Sequence, residues 1–131
     1  MSQILIDSSV WIAFFNGDST AAILSELIDC NKICINELIL AEIIPSLKHK
    51  KEGHLIDILS QVQKISLVIN WREIIYFQTY NLKKGINNVG ISDLIILQNA
   101  VNNNVELFTL DKHFSLMSKY FSLKLFDHKK S

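Results

Sequence analysis

Short apolar runs alternate with longer amphipathic segments along the whole chain. The short runs are rich in Ile, Leu and Val and end at polar residues, a pattern typical of buried strands. They predict five strands, at 3–6, 33–35, 65–69, 105–109 and 123–126. In the longer segments apolar residues recur at helical spacing. The predicted helices cover 8–15, 20–29, 36–51, 55–62, 71–84, 92–102 and 112–120.

This alternation of strands and helices predicts the α/β class, with a mainly parallel sheet covered by helices on both faces. A single domain spanning 1–131, with 49% hydrophobic residues, has enough apolar material for a core. In parallel sheets, ligands bind beyond the carboxyl ends of the strands. Polar residues at those ends are therefore the first candidates for a functional site.

Several polar residues and one proline predict where helices begin and bend. Ser19 or Thr20, Asn36 and Ser92 stand at the starts of helical segments and are candidate N-caps. Pro45 removes a backbone hydrogen bond inside a predicted helix, so we expect a kink there. The tail after Phe126 is expected to fray.

Four acidic residues are predicted to meet at one edge of the sheet. Asp7 and Asp111 each follow a predicted strand, and Asp93 opens a predicted helix. Glu42 lies within a helix among apolar neighbours, where an ionised carboxylate is costly unless a cation compensates it. Carboxylate oxygens are hard ligands suited to Mg²⁺ or Mn²⁺. A shared divalent ion is the economical explanation of all four.

Each aspartate considered singly has an ordinary structural explanation. Asp7 or Asp111 after a strand is commonly a helix cap, and Asp93 in a first turn complements the helix dipole. Glu42 has no capping explanation, because it lies inside its helix. The four acids taken together therefore favour a metal site over four unrelated structural roles.

Other polar residues near the acids leave two interpretations open. Ser9 and Thr109 either support the acidic site or only bond the local backbone. The four histidines do not form a ligand set. His113, close to Asp111 in sequence, either approaches substrate or is simply exposed, and we expect it to be exposed. The basic cluster 48–51 either guides nucleic-acid phosphates or is a solvated helix end.

Composition limits the location of the protein and the nature of its partners. Thirteen basic and thirteen acidic residues give zero formal charge, so local lysines and metal must attract any nucleic acid. Cys30 and Cys34 are expected to be buried and reduced. The start of the chain has no basic leader, and the apolar runs are shorter than the roughly 20 residues of a membrane span. We therefore expect a cytoplasmic protein.

Four stretches of the chain carry a family resemblance: ILIDSSVWI at 4–12, NELILAEI at 36–43, GISDLII at 90–96 and LFTLDKHF at 107–114. Their order and spacing resemble a PIN domain, specifically a VapC-type toxin of a type II toxin–antitoxin system, over essentially the full length. The resemblance implies a three-layer α/β/α sandwich with a short, mainly parallel five-stranded sheet.

The same resemblance implies a function. It points to an endoribonuclease that hydrolyses RNA phosphodiesters with bound Mg²⁺ or Mn²⁺ and that pairs with a cognate antitoxin protein. The acids that it implies as catalytic and metal-binding residues are Asp7, Glu42, Asp93 and Asp111, with Ser9 and Thr109 in support.

Two other functions fit part of the pattern. A haloacid-dehalogenase-like phosphatase also has an Asp after its first strand but needs a second Asp two residues later, where this chain has Ser9. A non-catalytic PIN-like scaffold that binds RNA or protein would have no need of all four acids. Carboxylate-dependent metal binding separates the scaffold from the nuclease.

The helix predicted at 71–84 carries more large apolar residues than one core-facing stripe needs. We expect a homodimer with Tyr76 and Tyr80 at its interface. The side expected to pack against the sheet consists of Ile74, Ile75 and Leu82.

Overall fold

A short parallel sheet flanked by helices forms the centre of the computed structural model, which describes residues 3–128. Residues 129–131, part of the tail expected to fray, lie outside this range. In chain order the elements are β1 Ile4–Ile6, α1 Ser8–Phe15, α2 Leu24–Asp29, β2 Ile33–Ile35, α3 Glu37–His49, α4 Gly53–Ser60, β3 Gln63–Lys64, α5 Trp71–Lys83, α6 Ile91–Asn102, β4 Glu106–Phe108 and α7 Lys112–Ser118. The predicted α/β/α architecture is confirmed.

The four strands are parallel and stand in the order β3-β2-β1-β4. Strand β1 is central and fully buried, as expected for an apolar run covered on both faces. In the β1–β4 register, Ile6 pairs with Phe108. The next residues along the two strands, Asp7 and Thr109, therefore lie side by side at the carboxyl edge.

Two predicted strands are shorter than expected. The third strand comprises Gln63–Lys64 and not 65–69, because its partner β2 ends at Ile35. Beyond Lys64 the pairing continues only through the backbone N–H of Ile65, which donates to the Ile35 carbonyl at 2.9 Å. The fifth is reduced to a single parallel bridge between Leu107 and Leu125. Each shortfall follows from a three-residue neighbouring strand, β2 or β4, that offers few backbone partners.

Helix starts test the predicted caps. Asn36 caps α3 by accepting the backbone N–H of Ile39 at 2.8 Å, and α3 continues through Pro45. Ser92 is not a cap, because α6 begins one residue earlier behind Gly90.

The cap predicted at Ser19 or Thr20 also lies elsewhere. Asp18 accepts the backbone N–H of Thr20 at the start of a short 3₁₀ turn, Ser19–Ala21, that precedes α2. An Asp directly before a turn competes well for this role, since its side chain reaches the backbone two residues on.

The packing of α5 corrects one part of the dimer prediction. Ile74 and Phe77 are buried, but Ile75 and Leu82 are 67% and 63% exposed and do not pack against the sheet. The reason is that Ile75 and Leu82 stand on a helix face turned away from Ile74 and Phe77. Tyr76 is exposed as expected, whereas Tyr80 is half-buried.

The two cysteines differ in their surroundings. Cys34 is buried in β2, where burial raises the pKa of its thiol to about 12, but Cys30 is exposed, contrary to expectation. Cys30 follows directly after α2, at a helix end that faces solvent. Within residues 3–128, no helix has both the length and the apolar character needed to cross a membrane.

Candidate active site

Asp7 follows the central strand β1, and its carboxylate is held by two hydroxyls. The residue is 4% exposed. Its Oδ2 accepts hydrogen bonds from Ser9 Oγ at 2.7 Å and from Thr109 Oγ1 at 2.8 Å. Although Asp7 occupies the N-cap position of α1, its side chain makes no capping hydrogen bond. The capping explanation therefore does not account for this acid.

Ser9 and Thr109 connect the ends of β1 and β4. Ser9 Oγ also accepts the backbone N–H of Leu110 at 3.1 Å, and Thr109 Oγ1 accepts that of Asp111 at 3.0 Å. Each hydroxyl thus donates to a carboxylate and accepts from the backbone. Ser9 and Thr109 therefore both support the acidic site and bond the local backbone, the two roles that the sequence left open. These hydrogen bonds together fix the position of the Asp7 carboxylate.

Asp93, Asp111 and His113 meet where two helices begin. The Asp93 carboxyl, in the first turn of α6, accepts the backbone N–H of Gly90. Asp111 caps α7, and its Oδ1 accepts the backbone N–H of His113 at 2.9 Å. One ligand atom from each of Asp93, Asp111 and His113 lies within 4.8 Å of the others. Both aspartates therefore combine an ordinary helix-start role with a place in a shared cluster.

The prediction that Glu42 is buried is wrong. Glu42 lies on the solvent side of α3 and is exposed, whereas Ile39 and Ile43 are buried. Apolar neighbours did not imply burial, because, one turn away from Glu42, Leu38 is only half-buried and Pro45 is exposed. The Glu42 carboxyl nevertheless faces the other acids, since it is hydrogen-bonded to Ser8 and feels the charge of Asp7.

The pKa of Glu42 is raised above its ordinary value. Partial loss of hydration is the largest cause and the negative charge of Asp7 is the next, with a smaller contribution from Asp93. The hydrogen bond from Ser8 acts in the opposite direction. Glu42 as a whole residue is exposed, but its carboxyl is partly dehydrated. The two statements agree because the carboxyl is the part of the side chain that is turned toward the cluster.

The pKa of Asp93 is raised for similar reasons. Loss of hydration contributes most, followed by the charges of Asp111 and Asp7, and His113 partly offsets them. With the coupling of Glu42 to Asp7, these interactions connect all four predicted acids in one cluster. Crowded carboxylates favour a bound proton or cation over shared negative charge. This oxygen-rich donor set fits a divalent ion such as Mg²⁺ or Mn²⁺.

The sequence did not predict the place of two further residues, His113 and Ser8, in the cluster. His113 is half-buried and not exposed, because its Nδ1 lies 3.1 Å from Oδ1 of Asp111. An acid followed two residues later by His at a helix start was the available signal. Ser8 had no signal of its own, since its hydrogen bond to Glu42 depends on how α1 and α3 pack.

A narrow cleft beside Glu42 brings one lysine of the basic cluster near the acids. Its volume is about 120 Å³. Ile12 and Phe15 of α1 line one part, and Glu42 and Lys50 of α3 line another. The cleft thus joins an apolar surface, a cation and an acid of the cluster.

Comparison with known proteins identifies the family. Residues 4–120 match the family model of the PIN domain. The chain belongs to the PIN domain family. PIN domains are nucleases as a class, so membership supports hydrolysis of nucleic acids by this chain. Comparison with curated protein sequences gives no significant match.

Solved structures share the fold of this PIN domain at low sequence identity. A chain of the DNA-bound VapBC from Salmonella typhimurium is 14% identical, with a TM-score of 0.74 over 98% of this chain and 99% of that one. VapBC2 from Rickettsia felis, bound to a DNA fragment of its promoter, is 18% identical, with a TM-score of 0.71 over 94% of this chain and 96% of that one. A chain of a toxin–antitoxin complex from Klebsiella pneumoniae is 19% identical, with a TM-score of 0.61 over 84% of this chain and 88% of that one.

Proposed function

We propose that this PIN domain is a metal-dependent endoribonuclease that acts on RNA in the cytoplasm. The observation that carries the proposal is geometric: ligand atoms of Asp93, Asp111 and His113 lie within 4.8 Å of one another, and two hydroxyls hold the Asp7 carboxylate at the carboxyl edge of the sheet. The charge of Asp7 raises the pKa of both Glu42 and Asp93, which agrees with one shared cluster. Four acids that served the fold alone would have no reason to converge. The acids proposed as catalytic and metal-binding residues are Asp7, Glu42, Asp93 and Asp111.

The residues of the site have separable roles in this proposal. Asp93 and Asp111 hold the ion from the starts of α6 and α7, and Asp7 and Glu42 complete the negative charge around it. Ser9 and Thr109 keep the Asp7 carboxylate in one orientation through their hydrogen bonds. A bound Mg²⁺ or Mn²⁺ ion would lower the pKa of a water molecule and so supply the nucleophile near neutral pH.

Substrate attraction in this proposal is local. The chain has no net charge, so long-range attraction to RNA is weak. Lys50, in the cleft beside Glu42, provides a cation for a phosphate next to the reacting one. Bound metal supplies the remaining positive charge, because it offsets the acids that would otherwise repel RNA.

We further propose that the protein is the VapC-type toxin of a toxin–antitoxin pair, with a cognate antitoxin as its partner. Support comes from the structures that share its fold, which include VapBC complexes and a complex described as toxin–antitoxin. The match extends over most of both chains, so the shared fold accounts for nearly all of each matched chain. A neighbouring small open reading frame for an antitoxin is the corresponding genomic expectation.

A homodimer is the assembly that the outer face of α5 favours. Trp71, Ile75 and Leu82 are exposed along it, and Ile91 at the start of α6 borders the same groove. Monomeric proteins rarely expose several large apolar residues together. We therefore place the interface on this face, and not on Tyr76 and Tyr80.

Brief expression in a bacterial host tests the proposed function. Wild-type protein should arrest growth and generate new RNA ends at defined positions, whereas Asp93→Asn should do neither at equal protein levels. Co-expression of the neighbouring open reading frame should restore growth. Identical RNA ends with wild-type and Asp93→Asn protein would instead support a non-catalytic scaffold.

A further inference from the structure

His113 shares the end of the acidic cluster formed by Asp93 and Asp111. Its ring nitrogen and one oxygen from each aspartate lie within 4.8 Å of one another. A histidine that served only to begin α7 would have no reason to lie near a residue of α6.

The backbone of α7 holds the imidazole in this place. Oδ1 of Asp111 accepts the backbone N–H of His113 at 2.9 Å and lies 3.1 Å from Nδ1 of the same residue. Two ligand atoms at right angles around an ion with bonds of about 2.1 Å lie about 3 Å apart. The observed separation therefore suits two neighbouring ligands of one ion as well as it suits a hydrogen bond.

The chemistry of imidazole distinguishes between divalent ions. Mg²⁺ prefers oxygen ligands and retains several waters, so a nitrogen ligand adds little to its affinity. Transition ions accept imidazole more readily, and their affinities rise from Mn²⁺ through Co²⁺ to Ni²⁺. A nitrogen ligand beside two carboxylates therefore favours transition ions over Mg²⁺.

We propose that Nδ1 of His113 is a ligand of the ion held by Asp93 and Asp111, and that it makes the site selective for Mn²⁺ and Co²⁺ over Mg²⁺. The neutral ring binds through the Nδ1 lone pair and carries its proton on Nε2. This inference rests on the proposed metal site and adds a nitrogen ligand to its oxygen donors.

Pulsed electron paramagnetic resonance of the Mn²⁺-bound protein, purified without a histidine tag, tests the ligand directly. The spectrum should show coupling of Mn²⁺ to ¹⁴N, and the coupling should change to the ¹⁵N pattern when histidine alone carries ¹⁵N. This isotope readout needs no substitution, so it holds even where a variant folds poorly. His113→Gln should lose the coupling, and His54→Gln, an exposed histidine of α4, should retain it.

Calorimetry with each ion alone tests the selectivity. His113→Gln should weaken Mn²⁺ and Co²⁺ binding by about tenfold or more and change Mg²⁺ binding little, since a group that merely orients a ligand already contributes roughly 10- to 100-fold. Mn²⁺ binding that depends on Asp93 but shows no histidine nitrogen would overturn the inference and leave the proposed function intact. Absence of any binding dependent on Asp93 would overturn both.

Discussion

At the scale of single residues, Asp7 shows how the edge of the sheet orients a carboxylate that does not cap a helix. Its position follows from the β1–β4 register, which places Thr109 beside it. The two hydroxyls of Ser9 and Thr109 leave the carboxylate one orientation. Buried polar groups with all partners in place are rigid, and a ligand that is already oriented binds its ion without an ordering cost.

Removing the Thr109 hydroxyl should therefore impair the site without unfolding the protein. Thr109→Val keeps the size of the side chain but leaves Oδ2 of Asp7 with one hydroxyl partner. We expect RNA cleavage to fall by about 10- to 100-fold, the usual cost of losing a group that orients a metal ligand. The measurement is kcat and KM for a defined RNA. Thr20→Val is the matched control, because it removes an exposed hydroxyl that likewise donates to an aspartate, Asp18. Equal activity of both variants would contradict the role given to Thr109.

Asp93 should destabilise the metal-free protein at neutral pH. Its pKa in the folded protein is raised, so the folded state holds the proton more tightly than the unfolded state. The associated stability is present below the unfolded pKa and is lost as pH rises through the folded pKa. In EDTA, Asp93→Asn should melt above wild type at pH 7, and the difference should vanish below about pH 3.5, where the carboxyl is protonated in both states.

Thermal unfolding across this pH range measures the effect, and Asp57→Asn on the exposed surface of α4 serves as control. For a domain of this size, about 1 kcal/mol corresponds to roughly 4 °C in Tm. A wild-type protein more stable than Asp93→Asn at pH 7 without metal would show that the acids do not repel one another.

At the scale of elements, the sequence pattern predicted the helices better than the strands. The apolar periodicity of α5 and the Asn36 cap of α3 located those helices to within one or two residues. The third strand was misplaced, because pairing depends on how far β2 extends, and β2 ends where Asn36 begins a helix. Local pattern encodes the tendency to form a strand but does not encode the length of its partner.

The meeting of the acids could be predicted from the sequence, because two of them directly follow predicted strands. Asp7 and Asp111 follow apolar runs, and parallel strands bring such ends together. The burial of Glu42 was not predictable from its neighbours along α3, because exposure depends on which side of the helix meets α1. The contact of His113 with Asp111 was local, but its approach to Asp93 required α6 and α7 to start at the same place.

The outer face of α5 should control self-association. Ile75→Asp places a charge in the exposed apolar groove and, across a two-fold axis, opposite its own copy. We expect this variant to be monomeric by size-exclusion chromatography with light scattering at concentrations where wild type is dimeric. Tyr76→Asp, also on the exposed side of α5, should remain dimeric. A monomeric wild type, or a dimeric Ile75→Asp protein, would refute the interface.

At the scale of the whole molecule, the fold brings four acidic residues from separate elements to one place. Asp7 comes from the end of β1, Glu42 from α3, Asp93 from the start of α6 and Asp111 from the start of α7. These elements are far apart in sequence, so the cluster exists only in the folded protein. An ion that binds the cluster should stabilise the folded state by mass action, and this links activity to stability.

Cleavage of a single-stranded RNA by the purified protein tests the central claim most directly. Activity should require added Mg²⁺ or Mn²⁺, disappear in EDTA and return when metal is restored. Asp7→Asn and Asp111→Asn should each lose activity by roughly a hundredfold or more, since even a partner that only orients a ligand contributes up to that amount, and Asp57→Asn should remain active. Full activity of Asp7→Asn, or of wild-type protein in EDTA, would contradict a metal-dependent nuclease built on these acids.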